Sequence, residues 1–286
     1  MYTITYENER GQSVDFSASP TLKSVSFEGF GELDADIQLQ KAPYQDGSRF
    51  IDSVLTARSL SIEFLIDGVD YAEVSSVRRQ LSRVFNPKLR GQLTATVAGQ
   101  PYSIGTIPEH VPNFPSGSGN QGRRYQRGII DLIAPNPYWQ DPQEVSRALR
   151  AYEGKLNIPT TFPIEFGISG DTTILNNEGD VETPITIDIQ GPVTNPRVIN
   201  KTTGKYIRVI LSLSANDVLH IDTGDRNKRV EIYRDGLAIE KAIGYLDHNS
   251  DFWKLDVGYN EIQYIADAGD GNAIVAIAWH DQYTGI

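Results

Sequence analysis

The chain has 286 residues, 39% hydrophobic and 22% charged, which is enough apolar mass for real cores and too much for a disordered chain. Lys and Arg total 26 against 37 Asp and Glu, a formal charge of −11. That disfavours a general nucleic-acid binder, which needs a basic face to displace counterions, and also docking on anionic membranes. With no cysteine, disulfides, thiolate nucleophiles and Cys-ligated zinc are excluded.

The opening residues, Met1 to Glu7, have neither a basic region nor an apolar run, so no signal peptide is expected. No apolar stretch is long enough to span a bilayer, so a soluble protein made in the cytoplasm is expected, without membrane insertion. In the first half, residues 3–6, 24–27, 60–66, 92–97 and 128–133 show the alternation and β-branched content of strands. One helix is predicted over 71–85. Val74, Val77, Leu81, Val84 and Phe85 share a face, Asp70 and Glu73 form a capping-box pattern, and Asn86-Pro87 stops it. Its outer face carries Arg78, Arg79 and Arg83, read either as a solvated face or as a subunit contact. A long loop, roughly 108–121, follows, and then Arg123, Arg124 and Arg127. A loop of that length is expected to be mobile in isolation or ordered by a partner, and the arginines are read as an edge pairing with carboxylates.

Pro135, Pro137 and Pro142, then the Glu153-Gly154 turn, Pro159 and Pro163, interrupt regular structure. The expected organisation is a first domain over 1–140, a linker over 141–155 and a second domain over 156–286. The halves differ in charge: residues 1–140 carry 13 basic and 15 acidic side chains, and residues 141–286 carry 13 and 22. The second half reads as wholly β. Residues 185–189 and 207–213 alternate, further strands are predicted at 218–221, 229–233, 261–266 and 273–279, and turns fall at Thr203-Gly204, Asp235-Gly236, 258–260 and 269–272.

Motifs for chemistry are weak. Gly117 to Gly122 matches G-x-G-x-x-G, but prolines precede it and a strand follows, so no helix N-terminus is available for a pyrophosphate. No Walker lysine and no nucleophile elbow occur, and His110, His220, His248 and His280 show no metal spacing. Asp267, Asp270 and Asn272 resemble the start of a calcium loop, but Ala278 stands where the final Glu is needed. Asp34-Ala35-Asp36 is ambiguous. No catalytic residue, metal ligand or cofactor is therefore assigned. Trp253, Trp279, Tyr245, Tyr259 and Tyr264 could stack on a sugar or fill a core.

Several strings converge on one family. Ala42-Pro43-Tyr44-Gln45-Asp46-Gly47, Asn86-Pro87 and Gly128-Ile129-Ile130-Asp131-Leu132-Ile133-Ala134-Pro135-Asn136-Pro137-Tyr138-Trp139 resemble the N-terminal domain of siphophage distal tail proteins, the baseplate hub subunits. Asn177-Glu178-Gly179-Asp180, Pro184 to Gly191, Asn195-Pro196, Asn200 to Gly204, Asp217 to Thr223, Phe252 to Leu255 and Gly258-Tyr259-Asn260 resemble its C-terminal domain, in order. One departure is Asn136, where many relatives carry Asp.

The resemblance implies a mainly β chain, with an N-terminal β-sandwich carrying one helix and a C-terminal galectin-like, jelly-roll β-sandwich. It implies a non-enzymatic structural hub: a hexameric ring at the distal end of the phage tail, around a channel for DNA passage. The ring would join the tail-tube protein to the tail-associated tip or fibre protein and, in some relatives, to receptor-binding proteins. No sequence-specific nucleic-acid contact is implied. Such a ring needs one patch against a different patch. The candidates are Arg78, Arg83, Phe114, Arg123, Arg124 and Arg127, with the 108–127 arm expected to supply contacts and deletion of 111–121 expected to weaken the ring. A glycan-binding second sandwich, its contact residues unassigned, and a tip polysaccharide hydrolase stay open as alternatives.

Overall fold

The computed structural model describes residues 3–150, 165–166, 172–236, 238–269 and 273–286. The later part of the expected linker, the Glu153-Gly154 turn, Pro159, Pro163 and residues 270–272 lie outside them. The chain is mainly β and forms two compact units. The first comprises residues 1–142 together with 283–286, and the second residues 143–282.

In the first unit the strands are β1 (Thr3–Asn8), β2 (Ser13–Asp15), β3 (Leu22–Glu28), β4 (Ala35–Gln40), β5 (Arg49–Leu55) and β6 (Arg58–Asp67). The single α-helix among the described residues, α1 (Tyr71–Val84), precedes β7 (Gly91–Val97), β8 (Gln100–Pro108), β9 (Tyr125–Ala134) and β10 (Trp139–Gln140). One antiparallel sheet runs β2-β1-β7-β8-β9-β6-β3. Strand β8 turns its corner: residues 100–106 pair with β7, and only Ile107 and Pro108 pair with β9. The two halves of the sheet thus face each other across Ile4, Tyr6 and Leu93 on one side and Leu60, Ile62, Phe64, Ile130 and Leu132 on the other. The strict period of two in β6 and β9 puts every second residue into this core.

Helix α1 closes the unit with Val74, Leu81 and Val84, and Phe85 at its C-cap stacks on Tyr6 at 4.3 Å. Its start works through two exchanged bonds: Asp70 accepts from the Glu73 amide at 2.9 Å, and the Glu73 carboxylate accepts from the Val69 amide at 2.7 Å.

The loop expected over roughly 108–121 differs from expectation: its own chain orders it. Asn113 exchanges backbone bonds with Ile129 on β9. The buried Gln126 amide donates to the carbonyls of Pro115 and Arg127 at 2.9 Å and of Asn120 at 3.4 Å. A buried side-chain amide with spare donors draws loop carbonyls onto itself, because leaving either group unpaired is costly.

The second unit contains β11 (Val145–Arg150), β12 (Glu165–Phe166), β13 (Thr172–Asn177), β14 (Ile185–Gln190), β15 (Val193–Thr194), β16 (Arg197–Asn200), β17 (Lys205–Arg208), β18 (Ser212–Leu213), β19 (Val218–Asp222), β20 (Arg229–Arg234), β21 (Ala238–Lys241), β22 (Gly258–Ile265) and β23 (Ile274–Trp279). A seven-stranded sheet, β12-β11-β23-β14-β19-β20-β21, lies against a four-stranded one, β13-β22-β16-β17. Ile187, Ile221, Ile232 and Ile277 from the first meet Leu175, Val198, Ile207, Ile262 and Tyr264 from the second, the two-faced core of a sandwich. The predicted 207–213 strand is split. Its alternation continues, but the chain leaves β17, bridges at Val209 to Leu246 and re-forms as β18 against β15. Alternation records which side is buried, and that side stays the same when a strand changes sheets.

Candidate subunit interface

Strands β4 and β5 pair only with each other and belong to neither large sheet. Ala35 faces Leu55, Ile37 faces Ser53 and Leu39 faces Phe50, while Asp36, Gln38 and Gln40 face Val54, Asp52 and Arg49. The register shifts between Gln38 and Leu39, where Ile51 is the extra residue of a β-bulge. The bulge keeps Phe50 on the face that carries Ile37 and Leu39. One face of the ribbon is therefore mostly apolar, with Ser53 among its residues, and the other mostly polar, with Val54 among its residues, yet both are open. Ile37, Leu39 and Phe50 are 57%, 59% and 59% exposed, and every residue of the two strands except Leu55 is exposed. The tip carries the fully exposed Tyr44 and the Asp46-Gly47 turn, with Gly47 at φ 84°. A lone two-stranded ribbon is at best marginal in water. Covering a large apolar side chain is worth roughly 1.5–3 kcal/mol, so this face is built to be covered.

The hairpin leaves the unit through residues 29–34 and returns through Thr56, whose amide donates to the Asp34 carbonyl at 3.0 Å. Gly29 at this root has φ 83°, and a Cβ there would lie 2.0 Å from the Ser59 carbonyl oxygen, so only glycine fits. A cavity of about 290 Å³ opens beside the root, walled by Glu28, Glu32, Asp34, Glu109 and Asp131. Asp131 accepts from Ser61 at 2.7 Å and lies 3.0 Å from His110 Nε2. The His110 pKa is raised, first by its Nδ1 bond to the Val111 carbonyl and then by Asp131.

The predicted contact residues fall in three places. Arg78 stacks over Phe114 at 4.7 Å, and Phe114 in turn meets Phe64 edge-on, so both are half-buried in their own unit. Arg83 is exposed and, with Arg79, lines a groove of about 440 Å³ between α1 and Gln12-Ser13. Arg124 donates to the Gly68 carbonyl at 3.3 Å, while Arg123 and Arg127 are exposed. The hairpin went unread in the sequence. Its signal was there, since Ala35, Ile37 and Leu39 alternate with Asp36, Gln38 and Gln40, but the bulge at Ile51 breaks the answering pattern in β5.

In the second unit Trp253, Trp279 and Tyr264 lie in the core, whereas Tyr245 and Tyr259 are exposed. On the outer face of the seven-stranded sheet His220 Nδ1 bonds Asp188 at 2.7 Å, and this bond foremost raises the His220 pKa. Asp267 is occupied by Arg208 at 2.9 Å and Asn195 at 2.8 Å. Among the described residues, no three His, Asp or Glu side chains converge as metal ligands. No described helix is long and apolar enough to cross a membrane.

Residues 178–283 match the siphovirus-type tail component, C-terminal domain, the family that includes SPP1 Dit. No curated protein sequence matches the chain. Among solved structures, the SPP1 Dit (gp 19.1) protein, described as a paradigm of the hub adsorption apparatus in phages infecting Gram-positive bacteria, superposes with a TM-score of 0.71 at 13% identity, covering 99% of each chain. A chain of the phage P2 baseplate in its activated conformation with calcium gives 0.57 at 9% identity, and one with strontium 0.55 at 8%, each covering 100% of both chains. The chain thus has the fold of SPP1 Dit throughout, and its residues 178–283 match the siphovirus-type tail component model.

Proposed function

We propose that this siphovirus-type tail component is the structural hub of a tail baseplate, closing into a hexameric ring at the distal end of the virion tail. It acts without catalysis. In this reading the ring joins the tail tube to the tail-associated tip protein, and its second unit faces outward toward receptor-binding proteins. The observation that carries it is the hairpin β4–β5, whose apolar face lies open among the described residues. In a closed ring each copy offers one patch to a different patch on the next, so every hairpin is covered and no sheet edge is left over.

The burial of Trp253, Trp279 and Tyr264 takes away three of the five rings a glycan site could have used, which favours the hub over the glycan-binding reading.

The test is the mass of the purified chain in solution, with negative-stain images of the same sample. Six copies of 31.7 kDa make a ring of about 190 kDa with a central hole. A chain that stays monomeric alone and with the tail-tube and tip proteins overturns the reading.

A further inference from the structure

The first unit is assembled from two stretches far apart in sequence, because the chain leaves it after Pro142 and comes back at Tyr283. The returning residues dock at the hairpin root. Tyr283 meets Tyr102 edge-on at 5.2 Å, and the Ile286 amide donates to the Phe30 carbonyl at 3.2 Å. Gly285 lies so close to Gly31 that an added Cβ would stand 3.0 Å from its carbonyl oxygen.

One side chain gathers these parts. Arg58, the first residue of β6, is 2% exposed. Its Nε donates to the Pro137 carbonyl at 2.7 Å, and one terminal nitrogen donates to Gly29 and Glu32 at 2.7 Å and to Phe30 at 3.3 Å. The other terminal nitrogen donates to the Thr284 carbonyl. Every acceptor is a backbone carbonyl, so the guanidinium joins three chain segments: the hairpin root, the exit at 137 and the return at 284. Burying a charge is costly unless its donors are met. A planar fork with five N–H groups can meet carbonyls converging from several directions, which a lysine cannot.

We propose that Arg58 is a positioning residue for assembly: it clasps residues 283–286 onto the hairpin root, so the ring-forming hairpin is aimed only after the chain beyond the second unit has been made and has returned. The clasp rests on the ring reading above, and it would keep incomplete chains out of the ring. The hydrogen bonds of Arg58 reach Gly29, Phe30 and Glu32 at the hairpin root, so its effect reaches the interface through residues 29–34.

The experiment uses the full chain with Gly285→Val, which wedges the returning segment away from Gly31, and Arg58→Lys, which keeps the charge but loses the fork. Amide exchange at Thr56 and Ile286 reports the root and the clasp. The concentration at which rings form is measured well below the unfolding temperature of each variant. The expected result is at least tenfold faster exchange at both amides and at least a tenfold higher ring-forming concentration, with exchange in β14 and β19 unchanged. Faster exchange at Ile286 alone, with Thr56 and ring formation unaltered, overturns the clasp and leaves the ring reading intact. If the wild-type chain forms no ring with its tail partners, the ring reading falls, and unchanged Thr56 exchange in Gly285→Val then removes the clasp as well. Should Arg58→Lys fail to fold, Gly285→Val decides.

Discussion

Two hairpins of this chain have nearly the same pattern and opposite fates. In β19–β20, Leu219 and Ile221 face Ile232 and Val230, and all four are at most 2% exposed in the core of the second unit. In β4–β5, Ile37 and Leu39 lie on a face with Phe50, and all three are more than half exposed. The alternation of apolar and polar residues is a statement that one face will be covered. It carries no information on whether the cover is the same chain or another. The difference between the hairpins lies in what surrounds them: β19 has β14 beside it and a second sheet beneath, whereas β4 and β5 have only each other.

The comparison can be broken from either side. Leu219→Ala should destabilise the folded chain by roughly 2–5 kcal/mol, because it removes buried methyl groups and leaves a cavity; chemical denaturation reads this directly. The double substitution Leu39→Glu with Phe50→Glu should change the stability of the isolated chain by no more than about 0.5 kcal/mol, as exposed positions do. The same double substitution should raise the ring-forming concentration at least a hundredfold, read by light scattering. A hairpin variant as destabilised as Leu219→Ala, or one that still forms rings at the wild-type concentration, would erase the distinction. On the opposite face of β4, Gln38→Glu should alter ring formation less than threefold, which separates the apolar face from the polar one.

The smallest effect concerns the outer face of β19. The folded-state pKa of His220 is raised, chiefly by its bond to Asp188. A raised pKa means the folded state holds the proton more tightly. The pair's contribution to stability is therefore complete below the ordinary histidine value of about 6.5 and fades as pH rises through the folded value. Asp188→Asn should lower the His220 titration midpoint seen by NMR and flatten the loss of stability above about pH 6.5. The loss is modest because Asp188 is 44% exposed, so solvent screens the pair. A midpoint unmoved by the substitution would mean that the Asp188 bond does not hold the proton.

Local patterns were legible wherever a single face decided the matter. The capped helix over 71–85, the strands of β6, β9, β14 and β19 and the mainly β class all follow from side chains whose spacing matches one buried face. The strings from Asn177 to Asn260 carry a resemblance that the match over residues 178–283 shares. Elsewhere the pattern misled. The Gly- and Pro-rich stretch from 108 to 121 looks unsupported, and nothing in its composition announces that Gln126, beyond it, will take up its carbonyls. The sequence also does not announce that Arg78 and Phe114, both candidate subunit contacts, stack on one another.

What the sequence by itself determined is many of the elements, their inward faces, the absence of cysteine chemistry and the resemblance to tail components. Each of these depends on residue type and on spacing within about ten positions. What only the tertiary structure decided is which faces find cover within the chain. It left β4–β5 bare, and it brought Arg58, Gly29, Pro137 and Thr284 together from four distant parts of the chain. Coverage and convergence depend on how sheets pack and where the chain returns, and Arg58 and Thr284, 226 positions apart, carry no local mark of their meeting.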